Sequence, residues 1–367
     1  MTDHFLVALA NCPAIGAKSV ERLLAHFLTA EAAWHGDEDE IKTLGIGEER
    51  ANGFLTFRRN TEPSGFVDIL EKNEIRMITQ ADAEYPSLLK TISDAPFFLF
   101  LQGAPLKEPC ISIVGSRDFS PYGKKCAQTF AKTLAANGIS IISGLATGID
   151  TISHQSAMEA GGHTVAVLGG GLLAYNGMDR ENTAGKMRSS GSTLLTEFGL
   201  HSPFAKHHFP MRNRIIAGMS KITLVVEAAL PSGSLLTADH ALASGREVFA
   251  VPGPIDSKTS AGTNRLIKDG AMVATSPDDI LLSLGISKRI YGDSIASEPK
   301  PPMVVKPPPE LSGSLAVLYA CLAEGSLFAD ELSLKTKLTP SEVSQTLFEL
   351  EVMGHVRNLG GTRYERV

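Results

Sequence analysis

Residues 110–123 read CISIVGSRDFSPYG, an apolar run followed by a glycine turn and a helix start. The run Cys110–Val114 predicts a buried strand. Ser120 followed by Pro121 predicts a helix N-terminus, because serine caps exposed backbone N–H groups and proline suits the first helical position. The segment therefore predicts a strand–turn–helix unit.

Similar units follow along the chain. Further strands are predicted at Ile139–Ser143, Thr164–Leu168, Thr193–Thr196, Ile222–Val226, Glu247–Val251 and Ala271–Ala274. Helical patterns such as Tyr122–Ala136 and Leu235–Ala243 lie between most of them. This alternation predicts an α/β fold, a Rossmann-like parallel sheet with helices on both faces, over residues 76–285. Ligands of such sheets bind at the carboxyl ends of the strands, so the turns after the strands are the candidate site.

Residues 1–75 read as helical, with a weak repeat at an offset of 31 residues. Pro13–Gly16 and Leu44–Gly47 each place a glycine before a predicted helix. Two interpretations stay open. One is a SAM-like or helix-hairpin-helix-like element, in which backbone N–H groups face a DNA phosphate. The other is a small helical bundle that needs glycine for its turns, and the acidic pair Glu48–Glu49 favours it.

Residues 286–311 are predicted to be a linker because prolines cluster there, which excludes helix and inner strand. Residues 312–367 predict a winged-helix domain. Its elements are helices at Ser314–Ala323, at Phe328–Thr336 and from Pro340 to about Gly354, followed by a hairpin at His355–Val367 around Gly360-Gly361.

The third of these helices argues against reading a DNA major groove, which requires positive or amide side chains. It carries Glu342, Glu349 and Glu351, and no Lys or Arg from residue 340 to 356. The basic residues lie in the hairpin instead. We therefore expect a protein-interaction or regulatory module; a degenerate DNA-binding domain is the alternative.

Composition limits the classes of partner. The 367 residues are 43% hydrophobic and 20% charged, which fits a globular chain rather than a disordered or collagen-like one. With 34 Lys and Arg against 40 Asp and Glu, the net charge is −6, so nucleic acid would need a local basic patch. The four cysteines form no CxxC pair, and we see no signal peptide and no apolar run of about 20 residues. We expect no membrane span and a cytoplasmic location.

One such basic patch stands out. From residue 198 to 226 the chain has no acid, and its centre reads KHHFPMRNR at 206–214. Lys206 supplies charge that neutralises phosphate. Phe209 is an aromatic side chain that can stack on or pocket a base, and a core phenylalanine is the alternative interpretation. Arg212 and Arg214 point in different directions, so we expect one to meet the ligand and the other to pair with Glu197 or Glu227. Adjacent histidines without a local acid do not suit a metal, and none is expected.

The turns after three strands are rich in glycine: Gly115-Ser116-Arg117, Ser143-Gly144 and Gly169-Gly170-Gly171. Their backbone N–H groups predict an extended anion site. The turns lack the GxGxxG pattern, and no acid ends the second strand to hold a ribose, so no dinucleotide cofactor is expected.

Several motifs resemble the DprA/Smf family of DNA-processing proteins over residues 75–285. They are IVGSR at 113–117, SPYG at 120–123, SGLATGID at 143–150, FPMRNRIIAG at 209–218, VVEA at 225–228, SGSLLTA at 232–238 and VPG at 251–253. The flanking parts fit the longer members of the family. Tyr175-Asn176 stands where the family usually has Tyr-Pro, so the loop there is expected to differ in shape.

The resemblance implies a protein that binds and protects single-stranded DNA and loads the recombinase RecA onto it during natural transformation. It also implies a homodimer through the Rossmann-like domain and no established catalytic step. By position, Arg117 matches the family arginine after the first strand, while Lys206 and Phe209 match its basic and aromatic contacts. The full candidate set is Gly115, Ser116, Arg117, Ser143, Gly144, Gly169, Gly170, Lys206, Phe209, Arg212, Asn213 and Arg214. For the dimer we expect the apolar residues of Gly262–Leu284, namely Leu266, Ile267, Ile280 and Leu281.

Two alternatives stay open. The first is a nucleotide-processing enzyme of the phosphoribohydrolase type, with Glu197, Glu227, Asp150 and His154 as candidate groups, although the PGGxGT-type loop of such enzymes is absent. The second is an interaction scaffold whose active part is the winged helix.

Overall fold

The computed structural model describes residues 3–174, 181–286, 311–322, 326–358 and 362–366, which form two compact units, Met1–Gly292 and Asp293–Val367. Three features of the sequence analysis lie outside the described residues: Tyr175-Asn176, nearly all of the proline-rich linker, and Gly360-Gly361.

The first unit begins with helices. They are α1 His4–Asn11, α2 Ala17–Phe27, α3 Ala30–His35, α4 Glu38–Thr43, α5 Glu48–Arg59 and α6 Ser64–Lys72. The two glycine segments of the repeat precede α2 and α5, and their isoleucines, Ile15 and Ile46, are buried. Arg22 of α2 donates a hydrogen bond to the carbonyl oxygen of Gly45 at 2.5 Å, so the second glycine segment is tied to α2.

A nine-stranded sheet follows in the described residues. Its strands are β1 Ile75–Thr79, β2 Phe98–Gly103, β3 Cys110–Val114, β4 Ser140–Ser143, β5 Thr164–Val167, β6 Thr193–Thr196, β7 Ile222–Val225, β8 Glu247–Ala250 and β9 Met272–Val273. Their order across the sheet is β1-β2-β6-β5-β4-β3-β7-β8-β9. The neighbouring strands of the run β6-β5-β4-β3-β7-β8-β9 pair in parallel. At the β6 edge, β2 pairs antiparallel with β6, and β1 pairs antiparallel with β2.

Helices cover both faces of this sheet. They are α7 Pro121–Ala136, α8 Ile149–Glu159, α9 Glu181–Ser189, α10 His208–Gly218, α11 Gly233–Ala243, α12 Ala261–Lys268 and α13 Pro277–Ser283, with a short 3-10 helix at Leu89–Thr91. One buried cluster includes Phe130 of α7 and Phe249 of β8, and another includes Ile216 of α10 and Leu101 of β2. The Rossmann-like α/β architecture expected from the sequence is confirmed.

The N-terminal helices share a core with the sheet rather than standing apart. Leu9 of α1 and Phe54 of α5 belong to the same buried cluster as Phe100 of β2 and Leu194 of β6. The side chain of Asn11 also accepts a hydrogen bond from the backbone N–H of Leu200 at 2.7 Å. The loop after β6 is therefore fixed in part by α1.

The second unit has its own core. It comprises α14 Gly313–Cys321, β10 Leu327–Phe328, α15 Ala329–Thr336, α16 Pro340–Val352, β11 Val356–Asn358 and β12 Arg363–Arg366, with strand order β10-β12-β11. Leu318, Leu332, Leu347 and Val356 pack in its interior. Three helices and a small sheet make the expected winged helix.

The cysteines are all free thiols, and Cys12 and Cys110 are buried. Within the described ranges, no helix has the length and apolar character needed to cross a membrane. The same residues contain no group of three or more His, Cys, Asp or Glu side chains arranged to hold a metal ion.

Candidate nucleic-acid interface

The loops after β3, β4 and β5 lie next to one another because these strands are parallel neighbours in the sheet. Helix α10 begins beside them, since the loop after β6 brings its first turn back against Gly169. The candidate site is thus built from strand ends plus one helix start, as expected for an open α/β sheet.

Arg117 and Phe209 meet at the surface of this site. The guanidinium carbon of Arg117 lies 5.7 Å from the centroid of the Phe209 ring, within the range of a cation–π interaction. Arg117 is exposed and Phe209 is half-buried. A positive charge and an aromatic face, 92 positions apart in the chain, are therefore presented together.

Lys206 is exposed in the turn before α10. The neighbouring His208 has a different role: its ring stacks on Phe198 with centroids 4.1 Å apart. Burial lowers the pKa of His208, so it carries little charge near pH 7. The positive charge of the candidate site thus comes mainly from Arg117 and Lys206.

The three adjacent glycines after β5 allow the returning chain to approach closely. A Cβ at position 169 would lie 3.1 Å from the Phe209 ring, and one at 170 would lie 2.9 Å from the ring of Phe204. A Cβ at 171 would overlap the carbonyl oxygen of Leu200. Gly169 and Gly170 are themselves buried. The small size of Gly169 lets Phe209 pack against it. The sequence analysis expected these glycines to present exposed N–H groups to an anion, and in the structure they are buried instead.

Ser143 and Gly144 are likewise internal. The Ser143 hydroxyl donates to the carbonyl oxygen of Ile113 at 2.6 Å. The N–H of Gly144 donates to Asp150 Oδ2 at 3.1 Å, because Asp150 in the first turn of α8 folds back over its own loop. The expected anion contact through this N–H is therefore corrected: the protein's own carboxylate accepts it.

Arg212 is also a correction. It is 4% exposed, and its guanidinium donates to the carbonyl oxygens of Gly144, at 2.6 Å, and of Val167. Helix α10 lies across the ends of β4 and β5, so the buried Arg212 side chain links these two strand ends through hydrogen bonds. It supports the site without reaching its surface.

Arg214 forms the structural ion pair expected of one of the two arginines. Its partner is Glu197, and a second carboxylate, Asp94, lies 3.2 Å from its Nε. Both arginines of the pair are therefore internal. Asn213, between them, is half-buried and donates to the carbonyl oxygen of Gly233 at 3.3 Å.

Gly115 and Ser116 shape the first turn. A Cβ at Gly115 would lie 2.7 Å from the Ile149 side chain, so glycine is needed for α8 to pack there. The Ser116 hydroxyl donates to the carbonyl oxygen of Asp118 at 2.6 Å, which closes the turn that presents Arg117.

Two exposed apolar residues beside the site were not singled out from the sequence. Phe119, in the same turn as Arg117, is 37% exposed, and Met211 of α10 is also exposed. For Phe119 a signal was available in the sequence, because this aromatic residue lies two positions after the basic Arg117. Met211 has no comparable signal, since nothing in the motif shows which face of α10 is exposed.

The groups considered for catalysis are buried and engaged. Burial raises the pKa values of Asp150 and Glu197, opposed by the charges of Arg212 and Arg214 respectively. Burial and the charge of Arg212 lower the pKa of His154 to about 3, so this ring is neutral. The carboxylate of Glu227 accepts hydrogen bonds from Ser120 and Thr259.

A cavity of about 370 Å³ lies elsewhere in the same unit. It is lined by Thr91, Ile92, Ser93, Asp94, Arg214, His240, Ala243 and Ser244. None of the four candidate catalytic groups lines it. Its position therefore gives no support to an enzyme active site at the strand ends.

The chain is similar to known proteins in both its α/β part and its winged-helix part. Residues 76–285 match the family model described as DNA recombination-mediator protein A, and residues 299–362 match the DprA winged helix domain. The chain is 36% identical to Protein Smf of Escherichia coli (strain K12) over 344 residues, 92% of this chain and 89% of that protein.

Two solved structures are similar. The X-ray structure of DNA processing protein A from Streptococcus pneumoniae aligns with a TM-score of 0.65 and 31% identity, over 77% of this chain and 98% of that one. The Helicobacter pylori protein, whose structure concerns its single-stranded DNA binding mode, aligns with a TM-score of 0.51 and 25% identity, over 57% and 95%. Together with the family models, these similarities show that the chain belongs to the DNA recombination-mediator protein A (DprA/Smf) family.

Proposed function

We propose that this protein binds single-stranded DNA across the strand ends of its sheet, protects the strand and delivers it to RecA during natural transformation. The observation that carries the proposal is the guanidinium of Arg117 over the ring of Phe209, with Lys206 exposed two residues before α10 begins. The family relationship and the named binding mode of the Helicobacter pylori protein support it.

The chemistry favours single strands. Cations neutralise the phosphates, and an aromatic side chain offers a stacking surface to any base that is not already paired. A base inside a duplex is stacked on its neighbours and cannot lie on Phe209 without leaving the helix. We therefore assign the surface binding set to Arg117, Lys206 and Phe209, with Gly115, Ser116 and Asn213 at its margin. Ser143, Gly144, Gly169, Gly170, Arg212 and Arg214 have supporting roles.

We propose that this role involves binding without a catalytic step. The four side chains considered for a phosphoribohydrolase are used for internal hydrogen bonds or ion pairs, or are held neutral by burial. Release of a free base from a nucleotide would contradict this view.

We further propose that the protein acts as a homodimer in the cytoplasm and that residues 312–367, tethered by the linker 286–311, regulate it. Of the apolar residues expected at the dimer interface, Ile280 and Leu281 are buried within one chain, and Leu266 and Ile267 are half-buried. The exposed apolar residues of this region are Met272 and Val273 on the edge strand β9, with Leu282 and Ile286. We place the dimer contact on these.

The test compares single- and double-stranded oligonucleotides of equal length by gel shift over a salt series. R117A and K206A should each weaken binding to all single strands alike. Each should also reduce the slope of log K against log salt by about 0.7, the value for one lost phosphate contact. K132A removes an equal charge from the exposed side of α7, away from the strand ends, and should bind as the wild type. Wild-type affinity of both R117A and K206A at moderate salt would place the site elsewhere.

A further inference from the structure

The crevice between β3 and β7 is where the strand order of the sheet reverses. The chain leaves β3 toward β4, β5 and β6, and then returns to place β7 on the other side of β3. In open α/β sheets this reversal is the usual ligand site, and a ligand phosphate sits on the N-terminus of the helix that follows the first strand. Here that helix is α7.

The position at the N-terminus of α7 is filled by the carboxylate of Glu227, which follows β7. Its Oε2 accepts the backbone N–H of Ser120 at 2.9 Å, and its Oε1 accepts the Ser120 hydroxyl at 2.6 Å. The Thr259 hydroxyl donates to Oε1 at 3.1 Å. These donors, a backbone N–H at a helix start and two hydroxyls, are the kind that bind phosphate oxygens.

The fit leaves no room for a second anion. Glu227 is 2% exposed, and a Cβ at Gly123, in the first turn of α7, would overlap its carboxylate oxygen. Among the ion pairs of the described residues, none joins Glu227 to a basic side chain. The neutral donors and the helix N-terminus thus take the place of a counter-charge, as they do for a bound phosphate.

We propose that Glu227 acts as a built-in anion that closes the switch point of the sheet to phosphate monoesters. Free nucleotides are thereby excluded from the crevice, and the nucleic acid is confined to the adjoining strand ends where Arg117 and Phe209 lie. The second half of this statement rests on the proposed function, whereas the exclusion of phosphate does not.

The test removes the carboxylate and offers a phosphate in its place. E227A should have a lower Tm than the wild type in chloride. Inorganic phosphate or dAMP at the same ionic strength should raise its Tm by several degrees, and calorimetry should show at least tenfold tighter phosphate binding than in the wild type. E227Q is the control: its side chain fills the same space, so phosphate should leave its Tm unchanged.

Two outcomes would overturn the proposal. One is phosphate binding by the wild type as tight as by E227A. The other is no stabilisation of the truncated variants by phosphate. Should E227A not fold in chloride, E227S, which retains one acceptor for Ser120, must show the same gain, and failure of both variants in phosphate counts against the proposal. Because these measurements contain no DNA, they are independent of the R117A and K206A experiment.

Discussion

Arginine has two opposite uses within this one site. Arg117 is exposed over the ring of Phe209, in a turn after β3 that is closed by the Ser116 hydroxyl. Arg212 is buried and donates to the backbone carbonyl oxygens at two strand ends. The second use satisfies acceptors that the end of a sheet would otherwise leave buried and unpaired, which costs about 1–3 kcal/mol per group. Charge in the sequence therefore overstates the charge that a ligand meets.

Phe209 could serve as a DNA contact or as a core residue, and substitution by alanine distinguishes these two roles. We expect F209A to lose about 1–3 kcal/mol of single-strand binding free energy for every sequence, because each base has a face to stack. Its Tm should fall little, since the ring is only half-buried. F130A, which empties a buried position of α7, is the comparison and should lose about 3–5 kcal/mol of stability. A Tm loss in F209A as large as in F130A would mean that Phe209 is core.

Residue types predict much of this site, but they do not show which of its side chains are exposed and which are buried. The basic patch at residues 198–226, the turn after the first predicted strand and the family resemblance together indicate Arg117, Lys206 and Phe209. Arg212 was included because a helix start shows no inward side until the sheet beneath it is placed. Gly144 is a candidate because its glycine-rich turn predicts a free backbone N–H, and the sequence does not show that Asp150 folds back to accept it.

At the scale of elements, the parallel strands were predicted closely. β3 and β6 have the predicted bounds, and β4, β5, β7 and β8 each lie within a residue of theirs. Buried parallel strands are continuous apolar runs between turn residues, which a sequence shows directly. The antiparallel pair β1 and β2 is not predicted because it precedes the strand–helix alternation. The pairing of β2 with β6 also joins residues 90 to 96 positions apart.

Helix α16 offers an element-scale prediction. Phe348 is 66% exposed and Val352 is 72% exposed, and at helical spacing these two share one face. Glu349 and Glu351 flank that face on either side. An apolar strip with acidic borders fits a protein surface and repels DNA phosphates.

We therefore expect fragment 311–367, whose core is self-contained, to show no saturable amide shifts in Ser341–Leu350 when titrated with duplex DNA at physiological salt. Shifts limited to Arg357 and Arg363–Arg366 would agree with an auxiliary contact by the hairpin. Saturable shifts centred on α16 would instead make it a DNA-reading helix.

At the scale of the whole molecule, the sheet has two unlike edges. The β1 edge is accompanied by the N-terminal helices, while β9 ends the other edge with Met272 and Val273 exposed. An edge strand with apolar side chains is a natural surface for self-association.

The dimer prediction follows from that second edge. Light scattering at micromolar concentration should give a dimer for the wild type and a monomer for M272E/L282E, because the variant buries two charges in the proposed contact. L28E alters an exposed leucine of the N-terminal helical part and should stay dimeric. A monomeric wild type would rule out the dimer.

The core that the N-terminal helices share with the sheet also has a consequence for synthesis. Helices α1 to α6 leave the ribosome before the sheet, and Leu194 and Leu200, which belong to the same buried cluster, are made more than a hundred residues later. At about 5–20 residues per second, their apolar surface stays uncovered for on the order of ten seconds. During that interval the nascent chain keeps apolar surface exposed to water, and the loop that leads to Lys206 and Phe209 gains its hydrogen bond to Asn11 only after Leu200 has been made.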